Sequence, residues 1–294
     1  MITFVELGQY GRLGNQLFQY ALLRSVALEK GVPAKIPDPN TMTWQNQKCY
    51  LKYFNLECDY LEPEDYSKIK HRFQEPDHAQ FYPEVFDVPD YTDLYGFFQN
   101  YKYFSKYEKQ IREELTLKSD IKKTAEKYIN TIRKMGDPTA EIVSVHMRRG
   151  DNCDGTHPEY KNFFGEGDVL TKDSNFGKYF FRALEQFNDK NVKFLVFSGG
   201  SRSGDKHNQS DIEWCKSNFK GDNVYYSEGN SDLVDFEIMR QCEHNITSHM
   251  TSFGWWAAFL NDNPEKIVIA PQNYSIPDDG RVGRGFYPPQ WSIV

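Results

Sequence analysis

Two adjacent arginines lie within the run His146-Met147-Arg148-Arg149-Gly150-Asp151, directly after the apolar stretch Ile142-Val143-Ser144-Val145. Such a stretch reads as a buried strand, Glu141 to Met147, that delivers both guanidinium groups at its carboxyl end. Crowding two cations there is costly unless an anion lies between them, and guanidinium planes grip phosphate oxygens in a two-pronged fashion. In parallel α/β sheets, ligands also sit outside the carboxyl ends of strands. The competing reading is a solvated pair neutralised by Asp151 and water. A core strand feeding straight into both side chains argues for the phosphorylated ligand instead.

Two further elements carry polar groups suited to the same chemistry. Gly8-Gln9-Tyr10-Gly11-Arg12-Leu13-Gly14-Asn15-Gln16 follows an apolar strand at 2–7, and a glycine turn before a helix lets backbone N–H groups approach an anion. Its spacing is G-x-x-G-x-x-G, not the G-x-G-x-x-G of dinucleotide binding. Arg12, Asn15 and Gln16 are therefore the informative residues, each able to reach a diphosphate or a sugar. The other element, Ser248 to Trp256, sets the hydroxyls of Thr251 and Ser252 at a helix start. They read either as a phosphate or ribose site or as ordinary N-caps, and Trp255 and Trp256 read as helix-face packing. The sequence contains no D-x-D triplet and no His or Cys cluster at metal-ligand spacing, so no metal is expected. Arginines and helix dipoles would then stabilise any departing charge.

These residues need elements to hold them. The helix at 15–30 ends at Gly31, whereas 32–75 carries no clear pattern. Residues 106–135 read as one helix, and the break Gly136-Asp137-Pro138-Thr139 marks a domain boundary. Strands at 141–147, 192–197, 224–227, 244–248 and 267–270 then alternate with helices at 176–188, 210–219, 233–242 and 252–261, which implies a parallel sheet. The expected fold is α/β, with two Rossmann-like domains, 1–137 and 138–294. Eleven aromatics from Phe81 to Tyr107 either pack a core or stack on a sugar.

Composition limits the partners. A net charge of -7 over 294 residues argues against broad nucleic-acid binding, which needs a basic face. No run approaches the ~18 apolar residues of a membrane span, and the start lacks the basic and apolar regions of a signal peptide. Five scattered cysteines without a C-x-x-C suit a reducing compartment, so a cytoplasmic protein is expected.

Together, Gly11 to Ala21, His146 to Asp151 and Ser252 to Trp256 resemble glycosyltransferase family 11, the α-1,2-fucosyltransferases. Gly96-Phe97-Phe98-Gln99, Tyr103-Phe104, Tyr287-Pro288 and Trp291 extend the resemblance along the chain. It implies a GT-B-like fold with a central cleft, an acceptor-side domain at 1–137 and a donor-binding domain at 138–294. It also implies GDP-β-L-fucose as donor, no cofactor, and inverting transfer to the 2-hydroxyl of a β-galactoside. By the same resemblance, Arg148 and Arg149 hold the diphosphate and His146 shapes their pocket. Arg12, Asn15 and Gln16 close over phosphate and fucose, Thr251 and Ser252 touch phosphate or ribose, and Asp235 has the spacing of a guanine-reading carboxylate. Asp151, Asp154 and Glu159 are open candidates for a base. One departure is the polar insert 199–210, which parts Phe197-Ser198 from Asp211 and puts Asp211's usual donor contact in question. Lipid-linked acceptors are common for such enzymes, which leaves peripheral membrane association open. The rival readings are fucosyl transfer to another linkage and a noncatalytic carbohydrate-binding protein.

Overall fold

Strand and helix alternate through residues 1–41, 48–78, 80–153, 174–200, 205–275, 278 and 280–294, those described in the computed structural model. They form two compact units, Met1–Lys118 with Gly280–Pro289 and Ser119–Asp279 with Gln290–Val294.

In the first unit, elements numbered in chain order are β1 (Ile2–Thr3), α1 (Leu13–Lys30), β2 (Ala34–Ile36), β3 (Asp59–Tyr60), α2 (Pro63–Tyr66), β4 (His71–Gln74), β5 (Thr92–Tyr95) and α3 (Glu108–Glu114). The sheet runs β3-β2-β1-β5-β4, all parallel, with Ile2 in register with both Ala34 and Thr92. The strand expected at 2–7 stops at Thr3, because the chain turns at once: Leu7 N–H donates to Phe4 and Gln9 N–H to Glu6. Three strands lie inside 32–75, where the sequence showed no pattern. α1 buries Leu17, Phe18, Ala21 and Leu22 and ends at Gly31, whose φ of 65° is a left-handed cap that glycine adopts without strain.

The second unit holds α4 (Ser119–Lys134), β6 (Glu141–Met147), α5 (Asn175–Glu185), β7 (Val192–Ser198), α6 (Asp205–Asn218), β8 (Val224–Tyr226), α7 (Asp232–Gln241), β9 (His244–Ile246), α8 (Ser252–Leu260), β10 (Val268–Ala270) and β11 (Ser292–Ile293). Its parallel sheet runs β11-β10-β9-β6-β7-β8, which puts β6 between β9 and β7. Val143, Val145, Met147, Phe176, Phe180 and Ile246 share one apolar core around it. Trp255 and Trp256 are buried in α8, as helix-face packing requires.

Two boundaries differ from the sequence reading. The single helix expected at 106–135 is split into α3 and α4, and between them Leu117 bridges to Phe54. The units also divide at Lys118/Ser119 rather than at 137/138, because α4 buries Ala125, Ile129 and Ile132 in the second unit. There Tyr128 donates to the Tyr226 carbonyl at 3.1 Å, and Lys193 donates to the Arg133 carbonyl at 2.9 Å. The Gly136–Thr139 break is thus only the turn from α4 into β6. Among the described residues no helix is long and apolar enough to cross a membrane.

Candidate active site

β6 delivers its arginines into a buried frame: Arg148 is 7% and Arg149 5% exposed. Arg148 donates through Nη1 to the Gly199 carbonyl at 2.6 Å and through Nη2 to Asp151 Oδ1. Its own N–H donates to Ser248 Oγ at 3.2 Å, tying the β6 end to the loop after β9. Arg149 donates through Nε to Asp211 Oδ1 at 3.1 Å, and its guanidinium lies 3.8 Å over the Trp214 ring. Gly150 N–H donates to the other Asp211 oxygen at 2.8 Å. The insert therefore does not remove Asp211. α6 starts within it, at Asp205, and carries both Asp211 and Trp214 to Arg149. Burial pushes the Asp211 carboxyl up, against the pull of the Gly150 N–H and Arg149.

The next strand end along the sheet adds Thr251, whose hydroxyl caps α8 by accepting from Gly254 N–H at 3.4 Å. Ser252 is the half-buried first residue of that helix. His146 lies against it, 5.6 Å from the Phe253 ring, with Nδ1 buried and without a hydrogen-bond partner among the described residues. Burial, then the Arg148 charge, push its pKa down to about 3, so the imidazole is neutral at physiological pH. Asp235 lies on the first turn of α7, the helix that follows β8 in the chain. It accepts from Ser227 Oγ at 2.6 Å, and burial pushes it up to about 6.

In the first unit, Arg12 is the half-exposed N-cap of α1, and its carbonyl accepts from the N–H groups of Asn15 and Gln16. Asn15 Oδ1 accepts from Gln99 Nε2 at 2.6 Å, and Gln99 Oε1 accepts from Arg281 Nη1 at 2.7 Å. Sequence reasoning missed Arg281, which is buried and separated from Gln99 by 182 residues. Gln99 had a signal, since it closes the Gly96-Phe97-Phe98-Gln99 motif. Gln16 requires a correction: it is fully buried and its amide is spent on scaffolding. Nε2 donates to the Gly11 and Lys48 carbonyls, both at 3.0 Å, while Oε1 accepts from Tyr50 N–H at 2.8 Å. Of the base candidates, Asp151 is the buried partner of Arg148, and Asp154 and Glu159 lie outside the described residues.

Residues 3–294 match the model for glycosyl transferase family 11. The chain belongs to glycosyltransferase family 11. It is 29% identical to galactoside alpha-(1,2)-fucosyltransferase 1 of Ateles belzebuth over 91% of this chain and 67% of that one. It is 27% identical to galactoside alpha-(1,2)-fucosyltransferase 2 of Hylobates lar over 91% and 71%. Among solved structures, the fucosyltransferase NodZ from Bradyrhizobium aligns with a TM-score of 0.51 at 13% identity, covering 87% of this chain and 90% of that one. That likeness is one of fold, and the two parallel sheets are GT-B-like.

In this family 11 glycosyltransferase, Gly254 is the point where α8 comes close to the β6 end. A Cβ there would lie 2.5 Å from His146 Nδ1 and 3.2 Å from Cγ, with no exposed direction for the ring to retreat. Gly254→Ala should therefore destabilise the second unit by about 1–3 kcal/mol, as overpacking does. Urea denaturation checks this, and an unchanged midpoint would refute it.

A second prediction concerns Glu75, which follows β4. Its carboxylate accepts from the N–H groups of Phe97 and Phe98 at 2.7 and 2.9 Å. Burial, with Asp77 adding to it, pushes Glu75 up to about 7 despite those N–H groups and Arg281. The folded state thus binds this proton more tightly than the unfolded state does. The resulting stability is complete below about pH 4.5 and is lost as pH rises to about 7. Glu75→Gln cannot titrate. Between pH 4.5 and 7, wild type should lose up to ~3 kcal/mol relative to it. Denaturation at both pH values measures the difference, and a constant gap would contradict the assignment.

Proposed function

We propose that this enzyme moves L-fucose from GDP-β-L-fucose to the 2-hydroxyl of a terminal β-galactoside, with inversion and without a metal ion. The observation that carries the reading is the buried double arginine at the end of the central strand β6, each guanidinium fixed by its own carboxylate. As the bond from fucose C1 to phosphate breaks, negative charge grows on the diphosphate. Guanidinium groups already held in place stabilise it without reorganising. The α8 start, with Thr251 and Ser252, adds N–H and hydroxyl donors of the kind that bind anions. The Asp235 carboxylate can accept from guanine N1–H and N2–H₂. β8 lies two strands from β6, a spacing of about 10 Å that suits a nucleoside between base and phosphate.

The acceptor oxygen bonds to C1 as the C1–O bond to phosphate breaks on the opposite face, GDP departs, and the hydroxyl proton passes to bulk water. Because departure leaves an oxocarbenium-like centre, Asp151 is assigned as the strut of Arg148 and no strong base is invoked. Relatives named for galactoside α-1,2 transfer support the sugar and the linkage.

The test is incubation of the protein with GDP-fucose and lactose in EDTA, followed by NMR of the product. An α-1,2-linked fucose is expected. Another linkage, or dependence on added metal, would overturn that part of the reading. Saccharide binding without GDP affinity would overturn all of it.

A further inference from the structure

Outside the arginine cluster, the first unit holds a cavity of about 440 Å³ lined by Tyr10, Glu75, Asp77, Tyr95, Phe97 and their neighbours. It opens where β4 and β5 end, the carboxyl edge at which parallel sheets place ligands. We propose that this cavity is a saccharide subsite, with the aromatic rings as a platform for the apolar face of a pyranoside and the carboxylates as acceptors for its hydroxyls. The identity of that sugar as the β-galactoside acceptor rests on the fucosyl-transfer reading; the subsite itself does not.

Three observations carry the proposal. First, the lining has the chemistry of sugar recognition. Tyr10, Tyr95 and Phe97 are half-buried rather than sealed in the core, and the Asp77 and Glu75 carboxylates stand beside them. A pyranose offers a C–H face to rings and a hydroxyl edge to carboxylates, and the volume suits one or two sugar rings.

Second, the rings are fixed before any ligand arrives. The Tyr10 hydroxyl donates to the Gly96 carbonyl at 2.8 Å and accepts from the Gly96 N–H at 2.9 Å. Tyr10 meets Phe97 edge-on at 5.3 Å and Tyr95 at 5.4 Å. Arg72 lies 4.3 Å over Tyr95 and pairs with Glu6 at 3.0 Å. Such preorganisation lowers the ordering cost of binding.

Third, the backbone that presents Phe97 is held in a costly shape. Phe98 has φ of 51°, an outlier for an aromatic residue, and Glu75 secures it by accepting from the N–H groups of both Phe97 and Phe98. Strain of this kind persists where surrounding structure over-determines it, and it clusters at binding sites.

The test measures lactose kinetics and saturation-transfer NMR on wild type, Phe97→Leu and Asp77→Asn. Phe97→Leu keeps bulk while removing the ring. Asp77→Asn keeps shape while removing charge, and it stands in if the first variant fails to fold. KM for lactose should rise about tenfold in each, equivalent to ~1.4 kcal/mol, with kcat retained. Unchanged KM in both variants, while wild type fucosylates lactose, overturns the subsite and leaves the function standing. If wild type does not fucosylate lactose, the function reading fails and the NMR decides the subsite. Galactose-ring signals lost in Phe97→Leu uphold it, and signals equal to wild type overturn it.

Discussion

Arg148→Lys is expected to lower kcat by roughly 10²–10³ while leaving the protein folded, the loss typical of removing one preorganised donor from developing charge. Lysine keeps the positive charge, so the buried Asp151 carboxylate retains a counter-ion. What lysine lacks is the planar fork. Arg148 spends one Nη on the Gly199 carbonyl and the other on Asp151, which fixes the guanidinium plane. An ammonium group has no such plane. Arg148→Ala is the poorer probe, because it strands Asp151 as an uncompensated buried charge at a cost of about 3–5 kcal/mol. Its inactivity could then reflect unfolding alone. Steady-state kinetics with a melting curve on Arg148→Lys separates the two effects. Turnover near wild type in a folded protein would remove Arg148 from the reaction.

The same residues show what the sequence made legible. β6 could be read because seven consecutive residues pair with β7, and its interior run is apolar enough to be buried on both faces. Arg148 and Arg149 follow from it directly. β2, β3 and β4 could not be read. They span two to four residues, both residues of β3 face solvent in part, and β4 alternates nothing, so tertiary pairing rather than pattern makes them strands. Gln16 looked like a ligand contact because it is a polar amide just after the glycine turn, at the start of a helix. Only the path of Lys48 to Tyr50 shows that the backbone uses all of it. The Asp211 doubt arose from counting along the chain. The last residues of the insert begin α6 at Asp205, and that helix carries Asp211 to Arg149 at the end of β6. Arg281 gave no local signal, because its role is a hydrogen bond to Gln99.

Gly150→Ala should be the most damaging single-methyl change in the second unit. Gly150 has φ of 44°, and a Cβ there would lie 2.5 Å from the Gly199 carbonyl oxygen and 2.7 Å from the Gly200 carbonyl carbon, besides striking Arg148 Nη1. Backbone atoms do not swing aside as a side-chain tip does. Relief requires the β7 exit to move, and with it the Gly199 acceptor of Arg148. It also strains the Gly150 N–H bond to Asp211, the partner of Arg149. One methyl group therefore loosens both arginines. Left-handed strain of ~1 kcal/mol plus overpacking of about 1–3 kcal/mol predicts a total loss of roughly 2–4 kcal/mol, accompanied by weakened GDP binding. Gly229→Ala separates the two contributions. That residue has φ of 73° with nothing within 4 Å of its Cβ position, so it meets the strain without the collision. Chemical denaturation of the two variants should show Gly150→Ala losing at least twice as much stability. Equal losses would mean that the glycine serves the turn alone and that the arginines do not depend on the bare backbone beside them.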